Sequence, residues 1–258
     1  MNKTLPFLPD RPVKPRNSGI TMVMDKGLSI REAEDFMSVG SEYTDLVKLG
    51  FGTSVITPGF EKKIRIYKKA GVIPYFGGTL FEAFIIRNMF GEYVEFLDKH
   101  EIELVEVSDG SFDIDHSKKL EYIRALAKRG KVISEVGSKK KEVIYTPDQW
   151  VAMMKTELEE GSMKVIAEAR ESGTTGIYNE DGSINNKIIS AISEHVKLEN
   201  VIWEAPLKSQ QAWFIKHFGA NVNLGNIAPN EIIPLETLRL GLRGDTFFQF
   251  LPAELKQK

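Results

Sequence analysis

Charged residues recur at the ends of short apolar runs along this chain, and their order is the first sign of chemistry. Asp25 and Lys26 follow residues 20–24, Lys48 lies within 46–49 ahead of Gly50-Phe51-Gly52-Thr53, and Gly77-Gly78-Thr79 with Glu82 follows 72–76. Glu106 with Ser108-Asp109-Gly110, Glu135 with Gly137 and Lys139, Glu168 with Arg170, Glu204 with Lys208, and Asn223 with Asn226 continue the series. One acid after a strand reads equally well as a helix cap or a surface ion pair. Glu106, Glu135, Glu168 and Glu204 are different, because each lies within or directly after a run of Val, Ile, Leu or Trp. A buried carboxylate is costly unless it is paired or binds a metal, so four of them on separate runs imply a shared polar pocket.

That pocket would set carboxylates beside Lys48, Lys139, Arg170 and Lys208, a mixture suited to a small anion together with a hard divalent cation such as Mg2+. Gly77 and Gly78, like Gly50 and Gly52, would let backbone N–H groups approach an anion closely. The four histidines, His100, His116, His195 and His217, fall in predicted helices or peripheral loops. Neither a histidine metal site nor a Ser-His-Asp triad has a home, and proton transfer falls to lysine or a carboxylate.

The elements that must position these groups are legible from periodicity. About eight β-prone runs, at 20–24, 46–49, 72–76, 104–107, 132–136, 164–167, 201–203 and 222–224, alternate with helical segments. Ser29-Ile30-Arg31-Glu32 and Thr146-Pro147-Asp148-Gln149 are capping boxes that start two helices. Gly71, Gly130 and Gly219 are placed to end three others in a left-handed conformation. Alternating β and α elements imply parallel strands, and eight units in 258 residues predict a single (β/α)8 TIM-type barrel of the α/β class. An open doubly wound sheet is the other arrangement of such units, but Asp25-Lys26-Gly27 after the first run lacks its GxGxxG turn. Pro6, Pro9, Pro12 and Pro15 make residues 1–18 an extended N-terminal arm, leaving 19–250 for the barrel and 251–258 as a C-terminal tail.

Composition excludes several other classes. Lys and Arg total 34 against 36 Asp and Glu, with no basic run beyond Lys139-Lys140-Lys141, so no nucleic-acid partner is expected. The absence of cysteine removes disulfides, thiolate nucleophiles and Cys-based metal sites, and fits a cytoplasmic protein. No stretch reaches the ~20 apolar residues that span a bilayer, so no membrane partner is expected either.

As a set, the motifs resemble the phosphosulfolactate synthase family. The blocks are Met24-Asp25-Lys26-Gly27, Lys48-Leu49-Gly50-Phe51-Gly52-Thr53, Gly77-Gly78-Thr79-Leu80-Phe81-Glu82, Glu106-Val107-Ser108-Asp109-Gly110, Glu135-Val136-Gly137, Ala169-Arg170-Glu171-Ser172-Gly173, Glu204-Ala205-Pro206-Leu207-Lys208, Asn221-Val222-Asn223-Leu224 and Arg243-Gly244-Asp245-Thr246, spread over residues 19–247. The resemblance implies a barrel enzyme that adds sulfite to phosphoenolpyruvate with Mg2+, giving (2R)-2-O-phospho-3-sulfolactate on a route towards coenzyme M or sulfolactate. It also implies a homo-oligomer, and a general acid at Lys139, two residues after the glycine of the Glu-Val-Gly block. By position, Glu106 and Glu135, with Asp25 as third, are the expected metal ligands. Lys48, Arg170 and Lys208, with the Gly77-Gly78 backbone, are expected to hold the phosphate, carboxylate and sulfonate groups. Arg239, Arg243 and Asp245 read equally as a phosphate site near the last loops or as helix docking. Two other functions stay open on the sequence: a diverged relative like the plant heat-stress-associated proteins, and a Schiff-base aldolase using Lys48 or Lys139.

Overall fold

The computed structural model describes residues 5–112, 114–137, 145–169 and 172–256. Eight parallel strands form one sheet: β1 (Thr21–Asp25), β2 (Leu46–Leu49), β3 (Ile73–Phe76), β4 (Leu104–Val107), β5 (Lys131–Val136), β6 (Ser162–Ala167), β7 (Val201–Glu204) and β8 (Leu224–Ile227). Their hydrogen-bonded order is β3-β2-β1-β8-β7-β6-β5-β4, and β3 and β4 lie side by side to complete a nearly closed barrel. Helices α1 (Ile30–Gly40), α2 (Phe60–Lys69), α3 (Gly78–Ile85), α4 (Phe90–Lys99), α5 (His116–Ala127), α6 (Pro147–Glu159), α7 (Asn186–His195), α8 (Lys208–Phe218) and α9 (Ile232–Arg239) form the connections around it. Helices cover the outer face of the sheet and side chains fill its inner face. The strands are therefore buried on both sides and read as continuous apolar runs. Among the described residues no helix is long and apolar enough to cross a membrane.

Local chemistry sets most boundaries. Both predicted capping boxes form: Ser29 Oγ accepts from Glu32 N, and Thr146 Oγ1 accepts from Gln149 N. Gly71 and Gly219 take positive φ, at 69° and 91°, as expected of helix-ending glycines. Gly130 does not; a side chain there would meet the Glu103 carbonyl oxygen at 2.8 Å, so close backbone approach explains that glycine. The last strand lies two residues later than expected, at Leu224–Ile227. Gly225 and Asn226 read as turn residues, yet a Cβ on Gly225 would meet Met22 Cε at 2.6 Å, so the strand needs glycine to pack against β1.

Residues 5–18 carry neither helix nor strand and lie across the end of the barrel where the strands begin. Arg11 bonds Glu236 (Nε to Oε1, 2.9 Å) and the Gly19 carbonyl, while Arg16 Nε pairs with Asp45 Oδ1 at 2.9 Å. Arg239 is fully buried at this same end. Its Nη1 donates to the Ala220 and Val222 carbonyls at 2.6 and 2.7 Å, and burial pushes its pKa down to about 9. Arg239 therefore docks α9 against the start of the barrel, which settles it as structural.

Candidate active site

The strands' carboxyl ends surround a cavity of about 370 Å3 lined by Lys48, Gly77, Gly78, Glu106, Glu135 and Glu204, with Met24, Phe51 and Asn226 among its other walls. The glutamates stand near the carboxyl ends of β4, β5 and β7; in the hydrogen-bonded register Glu106 lies opposite Ile133, Glu135 opposite Ile166 and Glu204 opposite Gly225, so they meet through the stagger of tilted strands and not as paired residues. Lys48 rises from β2 on the other side and ends among them. Its Nζ lies 3.0 Å from Glu106 Oε2, 3.2 Å from Glu204 Oε1 and 3.5 Å from Glu135 Oε2, and all four side chains are at most 5% exposed.

One ammonium thus faces three carboxylates in a medium of low dielectric. Burial alone would lower the Lys48 pKa, but Glu106 and Glu204 overcome it and hold the group well above its ordinary value. With its ammonium engaged by three carboxylates, Lys48 is not poised as the carbonyl nucleophile of the Schiff-base reading. The excess acid shows the opposite strain. Burial raises Glu106 and pushes Glu204 up to about 7, with Lys48 opposing in both cases.

This charge balance is the test of fit for a metal. Three hard oxygen donors against a single ammonium leave up to two uncompensated negative charges, which a divalent cation would match. Among the described residues no three acids or histidines form a closed chelate. A cation held by one or two of these carboxylates and completed by substrate and water, the usual habit of Mg2+, fits what is present.

The glycines have a steric role. Gly78 N donates to Glu106 Oε1 at 2.5 Å, and a Cβ on Gly78 would fall 2.1 Å from Ser108 Oγ and 2.8 Å from Glu106 Oε1. Gly77 packs on the Lys48 stem, where its Cβ would meet Cγ at 3.1 Å. The β4–α5 loop is gathered by buried Glu82, which accepts from Ser108 Oγ and from Gly110 N and Ser111 N at 3.1 and 3.0 Å. Gly78→Ala is expected to lower stability by about 1–3 kcal/mol through overpacking. It should lower kcat/KM as well by displacing Glu106, both effects being read from urea unfolding and steady-state rates.

Other expected site residues lie elsewhere. Asp25, at the end of β1, is outside the cavity lining with four donors on its oxygens: Gly27 N and Leu28 N on Oδ1, Lys63 Nζ and the Tyr67 hydroxyl on Oδ2. Those bonds spend its acceptor capacity on holding the first loop and α2. Asp25→Ala leaves Lys63 buried without its carboxylate, and a loss of about 3–5 kcal/mol is expected in urea unfolding. Lys208 begins α8 but turns outward, 45% exposed, onto Asp245 at 3.1 Å. Lys139 and Arg170 lie outside the described residues.

Sequence reading passed over the supports of this site. Lys119 Nζ donates to the Glu135 carbonyl at 2.6 Å and pairs with Glu157 and Asp109 at 2.8 and 2.9 Å, fastening α5 and α6 to the end of β5. Lys63 does the same for Asp25. Each lysine lies on the apolar face of its helix, Lys63 with Phe60, Ile64 and Tyr67, Lys119 with Ile123 and Leu126, and that misplaced charge was the available signal.

A (β/α)8 barrel with a buried acid-rich, lysine-centred pocket at its carboxyl end has the form of an enzyme acting on a small molecule. Residues 9–245 match the family model described as (2R)-phospho-3-sulfolactate synthase (ComA). The phosphosulfolactate synthase of Methanothermobacter thermautotrophicus is 41% identical over 244 residues, covering 92% of this chain and 95% of that protein. The phosphosulfolactate synthase of Bacillus subtilis is 39% identical, covering 93% and 97%. Among solved structures the YdjI aldolase from Escherichia coli K12 superposes with a TM-score of 0.56 over 90% of this chain and 94% of that one; at 12% identity it speaks for the fold alone. The chain belongs to the phosphosulfolactate synthase family.

Proposed function

We propose that this protein is a cytoplasmic, homo-oligomeric phosphosulfolactate synthase that adds sulfite to phosphoenolpyruvate to give (2R)-2-O-phospho-3-sulfolactate, with Mg2+ as cofactor. The observation that carries this reading is the convergence of Glu106, Glu135 and Glu204 on Lys48 beside the Gly77-Gly78 turn.

In the reaction the sulfur lone pair of sulfite bonds to the methylene carbon, the C=C electrons move towards the carboxylate as an enediolate, and the adjacent carbon then takes a proton. Bound Mg2+ would stabilise the developing enediolate charge. Glu106 and Glu135 are the proposed holders of the cation, with Glu204 taking the third place first read for Asp25. Lys48, its ammonium held by the three carboxylates, offsets part of their charge and presents its own towards the carboxylate end of the substrate. Thr79, in the cavity wall at the start of α3, is the proposed contact for the phosphate; the Gly77 and Gly78 N–H groups expected there already donate to the Leu49 carbonyl and to Glu106 Oε1. The proposed donor of the final proton is Lys139.

Purified protein stripped with EDTA should form no phosphosulfolactate from phosphoenolpyruvate and sulfite, and Mg2+ should restore it, as followed by mass spectrometry. Equal product in both samples would dismiss the metal. A Lys139→Ala variant should be folded and inactive; full activity would remove Lys139 from its role.

A further inference from the structure

A second cavity, of about 390 Å3, lies at the other end of the barrel, where the strands begin and the arm crosses. Its floor is the first inward-packed layer of apolar side chains, Ile20, Leu46, Ile73, Leu104 and Ile133, and arm residues 14–17 form one wall. Lys14, Arg16, Lys131 and Lys164 also line it, with Asp45 the one acid among its lining residues. Asp45 is already met by Arg16 Nε at 2.9 Å and by the Thr21 N–H at 2.8 Å.

Lys14 and Lys164 are differently placed. Lys14 Nζ donates to the carbonyls of Ser41 and Thr44 at 3.0 and 2.7 Å, and Lys164 Nζ to those of Asn17 and Glu199 at 3.0 and 2.6 Å. Those acceptors are all neutral, and an ammonium has a third N–H to give. Burial lowers both pKa values, outweighing the Asp45 carboxylate that acts on Lys14 and the Glu199 carboxylate that acts on Lys164. An apolar floor beneath two such ammoniums selects an amphipathic anion over an inorganic one, because phosphate or sulfate would leave the floor wet.

We propose that this cavity is a second binding site, taking a small organic carboxylate whose head group meets Lys164 and whose apolar body covers the barrel floor. The site is separate from the glutamate pocket and independent of the reaction assigned to it. Because the arm supplies a wall and Lys164 also grips the Asn17 carbonyl, occupancy would fasten the arm to the barrel and raise the melting temperature by mass action.

The test is calorimetric titration of the full-length protein with octanoate and with 4-phenylbutyrate, in saturating phosphoenolpyruvate to keep the probes from the glutamate pocket. One equivalent of at least one probe should bind. The corresponding alcohol should bind about tenfold more weakly or worse, the loss expected when a charge-assisted hydrogen bond is removed. Lys164→Gln should weaken the carboxylate similarly. Since Lys164 also bonds the backbone, a second variant is needed: Met163→Trp, at a lining residue that is 43% exposed, should weaken binding by narrowing the cavity while leaving the far-ultraviolet circular dichroism unchanged. Failure of both carboxylates to bind folded protein would overturn the proposal. So would equal affinity for acid and alcohol, or undiminished binding to Met163→Trp.

Discussion

Lys48→Met is expected to lower kcat/KM for phosphosulfolactate formation by a factor of about 10²–10³ or more, the loss typical of removing a preorganised charge from a water-poor site. The side chain is nearly isosteric with the lysine stem that packs on Gly77, so the effect reports the charge. With the ammonium gone, Glu106, Glu135 and Glu204 lose their shared partner, and three carboxylates so placed cannot all stay ionised near neutrality. Protons then take the place of the ammonium, and the substrate anion meets a pocket of altered charge. Stability should fall too, by about 3–5 kcal/mol if the acids stay charged and by less as they protonate. Steady-state kinetics from pH 6 to 9, with circular dichroism to verify folding, would show whether the loss persists at every pH. Activity within twofold of the parent would mean that Lys48 serves packing only.

Glu204→Gln should separate stability from activity. Burial pushes the Glu204 pKa up to about 7 against an ordinary value of 4.5, so the folded state holds this proton more tightly than the unfolded chain does. The associated stability is therefore fully present below about pH 4.5 and is lost as pH rises through 7. Over that interval the loss is on the order of 3 kcal/mol, at about 1.4 kcal/mol per pH unit. Glutamine keeps an oxygen to accept from Ala169 N, which Glu204 Oε2 now does at 2.9 Å, and Lys48 retains Glu106 and Glu135. The variant should accordingly be more stable than the parent at pH 8, lose that advantage towards pH 4.5, and turn over far more slowly. Urea unfolding at the two pH values reads the sign. A variant less stable at pH 8 would show that Glu204 is ionised and well compensated in the native state.

Much of this architecture is legible in the sequence because each strand is short, apolar and closed by its own signals. Residues 46–49 and 104–107 coincide with β2 and β4, and Ser29 and Thr146 start helices with bonds made inside a single turn. The acids stand out for the same local reason, since a glutamate in Leu-Val-Glu-Val has no ordinary explanation. Tertiary partners are another matter. Lys48 lies 87 residues from Glu135 and 156 from Glu204, and only barrel closure brings them together. Asp25 looks like any other strand-end acid until Lys63 and Tyr67 from α2 are seen on it. Lys208 follows a strand at the expected place, but its side chain leaves the pocket for Asp245. Strand ends thus foretell which residues stand at the mouth of the barrel and leave open which way each side chain turns.

The most direct measurement is a 31P NMR time course of purified protein with phosphoenolpyruvate, sulfite and Mg2+ in deuterated buffer. If the lysine-centred glutamate pocket adds sulfite across the double bond, the phosphoenolpyruvate resonance is replaced by one phosphosulfolactate resonance, and the product carries a single deuteron at the carbon bearing the phosphate. Unchanged phosphoenolpyruvate in the presence of folded protein, or its breakdown to free phosphate with sulfite left intact, would contradict that function.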